Sequence, residues 1–253
     1  NSTIETVVFK SPTTAKISDT KDELLKLAIS KQINQIPILD ENNKIKDIYV
    51  LDEFLKIKKK TNKVVLMAGG LGTRLMPLTE HTPKPMLKVG NKPILHTILK
   101  KFKECGYTNF IMCVNYKSKV IQDYFGDGTK FQVKIEYILE KERMGTAGAL
   151  SLLAGKLKEP FFVMNGDLLT NLDFEKILDF HIKNESKATM CVREYNIEVP
   201  YGEVKLDKEN IVSIAEKPMH KFFVNAGIYV LDPECIDLIP KEFYDMPLLF
   251  KKV

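Results

Sequence analysis

The stretch Gly69-Gly70-Leu71-Gly72-Thr73-Arg74 carries the residue types of a polyphosphate cradle. Three glycines in four positions let a backbone turn sharply and aim its N–H groups at an anion with no Cβ in the way, and Arg74 adds a fixed cation. The stretch follows the apolar run Val64-Val65-Leu66-Met67, which reads as a buried strand. The glycines therefore stand at a strand's carboxyl end, where open α/β sheets place ligands. Two familiar cradles are excluded. A Walker loop needs Lys and then Ser or Thr directly after its last glycine, and no Lys follows Gly72 in that register. A dinucleotide fingerprint needs glycine where Leu75 stands and an acid about 20 positions on, but no Asp or Glu lies between Glu80 and Glu104.

What does follow is Pro83-Lys84-Pro85-Met86-Leu87 and then Val89-Gly90-Asn91-Lys92-Pro93-Ile94. In this order, residues 69–94 resemble the sugar-1-phosphate nucleotidylyltransferases, the enzymes that make NDP-sugars. The resemblance implies attack by the phosphate oxygen of a sugar 1-phosphate on the α-phosphorus of an NTP, with pyrophosphate leaving. Such a reaction asks the protein to neutralise crowded phosphates and hold attack in line. By resemblance, Lys84 contacts the triphosphate and Arg74 the pyrophosphate. Met67, Ala68, Gly69, Gly70, Gly72 and Thr73 form the nucleotide-binding turn.

The chemistry also calls for Mg²⁺, held by one or two carboxylates with phosphate and water completing the shell. Asn165-Gly166-Asp167 ends the apolar run 161–164 and resembles the family's Gly-Asp metal motif, so Asp167 is the expected metal ligand. The family usually adds a second Asp in a Trp-x-Asp-x-Gly strand. No such motif occurs before Val253, and tryptophan is absent, so the catalytic domain is expected to be truncated at its C-terminus.

Residues 140–150, Glu-Lys-Glu-Arg-Met-Gly-Thr-Ala-Gly-Ala-Leu, resemble the family's nucleobase loop. Guanine offers two adjacent donors, N1–H and N2–H, which one carboxylate accepts in parallel; uracil and thymine are better matched by a carboxamide. Glu140 thus favours GTP, and Gly145 is expected to let the backbone approach the base. Tyr201-Gly202-Glu203, Ala215-Glu216-Lys217-Pro218 and 224–229 match three further family motifs. They imply a sugar site in which Glu216 accepts from hydroxyls, Lys217 pairs the 1-phosphate, Asn225 both donates and accepts hydrogen bonds, and Gly202 permits close approach.

The elements that must position these groups follow from periodicity. Strands are predicted at 64–67, 110–114, 133–139 and 161–164, with helices at 93–104, 118–125 and 146–157. This alternation predicts an α/β fold, Rossmann-like, with a mixed, mostly parallel sheet covered by helices on both faces. From 188 onward strands dominate, at 188–192, 203–206 and 222–231, as an appended sugar-binding β region.

Before the catalytic part, residues 20–32 read as a helix capped at Ser18-Asp19-Thr20, 35–39 and 45–51 as strands, and 52–58 as a closing helix. This order resembles the second motif of a CBS pair, a regulatory module that often binds adenine nucleotides. Where nucleotide-binding motifs carry Gly, Ser or Thr, and Asp, this chain has Asp47, Val50 and Glu53. A small α+β packing or oligomerisation module over 1–60, poor in AMP or ATP binding, is expected before a catalytic domain over 61–253. Ile36, Ile38 and Leu51 would form its core, and the protein would be a homo-oligomer.

Composition agrees with a cytoplasmic enzyme. The 253 residues are 44% hydrophobic and 28% charged, with no apolar run long enough for a membrane span and no signal-peptide pattern over 1–10. The net charge of +5 is densest at 56–63, a run without interleaved aromatics, so no nucleic-acid partner is expected. Cys105, Cys113, Cys191 and Cys235 lack CxxC spacing and are expected as reduced thiols. The activity expected is that of a sugar-1-phosphate guanylyltransferase, of the kind used in bacterial surface-glycan or nonulosonic-acid synthesis. The alternatives are the same reaction with UTP, dTTP or CTP, or a non-catalytic nucleotide-sensing regulator.

Overall fold

The computed structural model describes residues 11–51 and 59–253; the helix expected over 52–58, with Glu53, lies outside the described residues. The chain divides between Lys58 and Lys59 into two compact units.

In the first unit, β1 (Ala15–Lys16) pairs in parallel with β2 (Gln35–Leu39), which turns back into antiparallel β3 (Ile45–Val50). Between β1 and β2 runs α1 (Lys21–Lys31). A capping box opens it: the Glu23 carboxylate accepts from the Thr20 N–H at 2.8 Å, and the Thr20 hydroxyl accepts from the Glu23 N–H. Gln32, left-handed at φ 52°, closes it. Leu24 and Ala28 from the helix, Ala15, Ile36 and Tyr49 are buried together, with Ile38 and Leu51 packed against them, so the three expected core positions do face this core.

The second unit is built on a six-stranded sheet. Its parallel part comprises β4 (Val64–Met67), β7 (Asn109–Val114), β8 (Lys134–Leu139) and β9 (Phe161–Asn165), in the spatial order β9-β4-β7-β8. The small ribbon β5 (Lys88–Val89) and β6 (Lys92–Pro93) lies in the first crossover. On the β9 side, β10 (Ala188–Glu198) and β13 (Met219–Leu231) extend the sheet antiparallel, and β11 (Gly202–Asp207) pairs with β12 (Asn210–Glu216) as a separate hairpin. The mostly parallel α/β architecture expected from the alternation is the one observed.

Side chains on successive strand positions point to opposite faces. Val64 and Leu66 join one core and Val65 the other. The first core is covered by α2 (Ile94–Glu104), α3 (Ser118–Phe125) and α4 (Phe174–Lys183). Leu95, Ile98, Leu99 and Phe102 lie one helical turn apart on α2 and are all buried. Phe102 stacks on Phe174 at 3.7 Å between centroids and meets Phe162 and Tyr107 edge to face.

The second face is covered by shorter pieces, 3₁₀ turns at Gly148–Leu153 and Pro233–Leu238 and the single-turn α5 (Met246–Phe250). The α-helix expected over 146–157 is replaced by that first 3₁₀ turn. Glycines at 145, 148 and 155 weaken a helix there. The N–H groups of Ala147 and Gly148 bond instead to the Tyr244 carbonyl, at 2.9 and 3.0 Å.

Phe102→Ala is expected to cost about 3–5 kcal/mol of stability, because the aromatic cluster leaves a void that neighbouring rings cannot fill. Urea unfolding followed by circular dichroism checks it; a loss below about 1 kcal/mol would contradict the packing.

Candidate active site

The parallel strands end together. Met67 of β4 stands opposite Asn165 of β9 and Cys113 of β7, and Val114 stands opposite Leu139 of β8. Backbone bonds carry this alignment past the strands: Gly166 N–H to Met67 O and Ala68 N–H to Cys113 O, both 2.8 Å, and Glu140 N–H to Val114 O, 2.9 Å. The glycine turn, Asp167 and Glu140 are thereby delivered to one sheet edge, around a cleft of about 490 Å³.

The three glycines of the turn sit in three different surroundings. Gly72 is left-handed at φ +67°, and a Cβ there would lie 2.9 Å from Thr79 Cγ2 and 3.3 Å from Lys84 Cβ. Thr79 is fully buried and its hydroxyl donates to the Gly72 carbonyl at 2.8 Å, clamping the turn. At Gly69 a Cβ would lie 2.6 Å from a carboxylate oxygen of Glu140, so that glycine makes room for the acid. A Cβ on Gly70 would meet nothing within 4 Å. No packing contact demands glycine at that position.

Arg74 sits in the 3₁₀ turn Thr73–Leu75 after the glycines, and Lys84 opens a second one at Lys84–Met86, whose Pro85 and Met86 are buried. Met67, Gly69, Gly70, Gly72 and Thr73 line the cleft together with Arg74, Lys84, Glu140, Gly145 and Asp167. Lys84 and Asp167 form an ion pair across it. Ala68 alone of the expected nucleotide turn does not line the cleft: it is buried behind it, its N–H taken by Cys113.

Glu140 is 7% exposed. It accepts from the Met144 N–H, yet burial outweighs that bond and pushes its pKa up from the ordinary glutamate value. Its loop is pinned from two sides. The Asn115 amide donates to the carbonyls of Glu140 at 3.0 Å and Glu142 at 3.3 Å. From 99 and 100 positions further along, Asp245 Oδ1 accepts from Thr146 N–H and the Thr146 hydroxyl accepts from Met246 N–H. Gly145 is left-handed at φ +75°, and a Cβ there would lie 2.7 Å from the Tyr244 carbonyl oxygen. Packing against residues 244–245 calls for glycine at this position, which also lines the cleft.

A second cavity of about 350 Å³ adjoins the cleft and shares Thr146, Asn165 and Asp245 with it. Asn225 and Gly227 line it. The Asn225 amide is oriented by the Tyr229 hydroxyl at 2.7 Å and by Gly227 N–H at 2.8 Å. Gly202, Glu216 and Lys217 are placed elsewhere: Gly202 pairs with Glu216 in the β11–β12 hairpin, all three are exposed, and none lines either cavity. Sequence reasoning passed over Thr146, Asn165, Arg143, Phe243 and Asp245 as site residues. Asn165 directly precedes the Gly-Asp motif and was legible by position; Asp245 had no local signal.

The nucleotidyl transferase family profile matches residues 63–247 of the chain. This chain belongs to the nucleotidyl transferase family. It is 37% identical over 188 residues to a probable mannose-1-phosphate guanylyltransferase 1 of Oryza sativa subsp. japonica, covering 70% of this chain and 52% of the relative. It is also 37% identical over 183 residues to the mannose-1-phosphate guanylyltransferase of Mycobacterium tuberculosis, covering 70% and 50%. The chain thus spans about half the length of these curated relatives. Among solved structures, HddC from Yersinia pseudotuberculosis complexed with GMP-PN matches with a TM-score of 0.58 and 27% identity, over 74% of this chain and 84% of that one. No helix among the described residues is long and apolar enough to cross a membrane, and all four cysteines are free.

The glycine geometry makes Gly72 and Gly70 unequal for stability. Gly72→Ala is expected to lower stability by at least about 1 kcal/mol, since a left-handed residue gains a Cβ where Thr79 already sits. Gly70→Ala is expected to leave the thermal midpoint within about 2 °C. Differential scanning calorimetry of the two variants tests the contrast.

Proposed function

We propose that this chain transfers the guanylyl group of GTP to a sugar 1-phosphate, releasing pyrophosphate and forming a GDP-sugar. The observation that carries this reading is the Glu140 carboxyl, set into the cleft wall against Gly69 at the rim of the phosphate turn. A base held there presents N1–H and N2–H to the two carboxylate oxygens, while its triphosphate follows the backbone of residues 69–73 toward Arg74 and Lys84. The guanylyltransferase relatives and the neighbour solved with GMP-PN support the base, and the former make mannose 1-phosphate the first sugar phosphate to test.

In this reading the chain does electrostatic and positional work. A phosphate monoester has its second pKa near about 6, so the attacking oxygen is already anionic at neutral pH and needs no general base. Arg74 and Lys84 offset the repulsion between that anion and the triphosphate and stabilise the leaving pyrophosphate. The second cavity, with Asn225 at its wall, holds the sugar. Asp167 at the cleft mouth suits Mg²⁺, a hard cation satisfied by one carboxylate with phosphate and water oxygens; among the described residues no cluster of three acids, His or Cys could hold an ion alone. When bound, the ion would supply charge neutralisation at the phosphates. Lys84, which pairs with Asp167 here, would then be released toward them.

For the first unit we infer a CBS-like packing module that joins copies of the chain into a homo-oligomer. Ile45 and Ile48 on β3 are 66% and 52% exposed, and the Asp47 carboxylate accepts from the Ile48 N–H, which supports packing over adenine-nucleotide binding. The whole protein is proposed to act in the cytoplasm.

Arg74→Ala and Lys84→Ala are each expected to lower turnover by about 10²-fold or more with folding intact. Asp167→Asn is expected to lower it and raise the Mg²⁺ concentration needed. Pyrophosphate release from GTP, UTP, dTTP and CTP with mannose 1-phosphate measures all three; normal turnover in every variant would refute the reading.

Glu140 generates a pH-dependent expectation. Its pKa is raised, so on acidification it takes up a proton above the ordinary glutamate value of about 4.3 and ceases to accept both guanine donors. The KM for GTP should therefore rise as pH falls through that window and stay low above it. In Glu140→Gln the rise should vanish, with GTP weakened at neutral pH relative to UTP and dTTP. Unchanged base preference and an unchanged pH profile would place base recognition elsewhere.

A further inference from the structure

We propose that Asp245 accepts a hydrogen bond from a substrate hydroxyl at the seam between the two cavities; this rests on the nucleotidyl-transfer reading above. Asp245 lines both the nucleotide cleft and the adjoining cavity. Its Oδ1 accepts from the Thr146 N–H and from the Thr146 hydroxyl, both at 3.0 Å. The same hydroxyl oxygen accepts from the Met246 N–H at 2.8 Å. These bonds fix the carboxylate on the loop that carries Glu140, and no described residue supplies a donor to Oδ2 or a cation to the group.

A half-buried carboxylate without a cation is foreign to a cleft whose Arg74 and Lys84 gather phosphate. It repels phosphate, and with Asp167 assigned to the metal its part here is to accept hydrogen bonds. With the guanine N–H donors taken by Glu140 in this reading, a ligand spanning the seam offers it alcohol hydroxyls, from either the ribose of the nucleotide or the ring of the sugar. In accepting one, Asp245 fixes how the two substrates face each other, and its charge biases both sets of phosphates toward the cationic end. Asp245 is thus a specificity residue for hydroxylated ligands as well as a brace for the base loop.

Asp245→Asn separates these roles. Its amide oxygen still accepts from Thr146, while the free position becomes a donor. The variant is expected to keep its thermal midpoint and to raise the KM for GTP or for mannose 1-phosphate about tenfold or more. Substrates lacking one hydroxyl locate the partner. If ribose is the source, 2′-deoxy- or 3′-deoxy-GTP brings the wild type to the variant's level; if the sugar is, a monodeoxy mannose 1-phosphate does so. Either convergence supports the proposal. A variant that is slower by the same factor on every substrate, or not slower at all, overturns it while leaving the guanylyl-transfer reading intact. A wild-type protein that binds no nucleoside triphosphate by calorimetry overturns both.

Discussion

The half of the cleft that holds the glycine turn and Asp167 depends on the register of β4 against β9. Met67 faces Asn165 across a parallel ladder that Gly166 N–H extends by one bond to Met67 O. This pairing sets the glycine turn and Asp167 side by side, one on each strand's exit. A slip of one residue would invert every side chain on the strand and turn Val64 and Leu66 out of the aromatic core. The core therefore enforces the register, and the register delivers a cationic turn and an acid to the same edge. The Lys84–Asp167 pair bridges those two deliveries.

The strand pairing accounts for one half of the site, and a distant strap accounts for the other. The loop carrying Glu140 has little regular structure of its own. It is held by the Asn115 amide at the end of β7 and by residues 244–246, whose backbone and side chains bond to Met144, Thr146, Ala147 and Gly148. The glycine turn and the Glu140 loop thus rest on separate supports. One is built from local strand–turn units, the other from a contact across about a hundred positions.

That division explains what the sequence made legible. The turn 69–74, Lys84, Asp167 and the parallel alternation all depend on residues close in sequence: a strand, a sharp bend, a cation. Glu140 was readable because it ends a strand of the same series. The packing of Gly145's left-handed backbone on Tyr244 is a tertiary cause that local spacing does not carry. The same contact diverted 146–157 from helix to a 3₁₀ turn. Asp245 carried no signal because its meaning comes only from Thr146. Gly202, Glu216 and Lys217 followed a motif order that says which strands they belong to, and the hairpin's position outside both cavities is a matter of three-dimensional placement. Strand β12 was missed because its exposed apolar residues, Ile211, Val212 and Ile214, lack the simple alternation of a half-buried strand.

The strap has a consequence for how the domain comes into being. On the ribosome, the phosphate turn can settle as soon as β4, β7 and β9 have emerged, since its clamp, Thr79, lies only seven residues beyond Gly72. The Glu140 loop cannot be locked until Tyr244, Asp245 and Met246 follow, at the end of a closure that costs entropy before it returns any bond. A nascent chain will therefore hold the glycine turn in shape before it can hold the Glu140 loop in place, and the two walls of the cleft are set at different moments of its emergence.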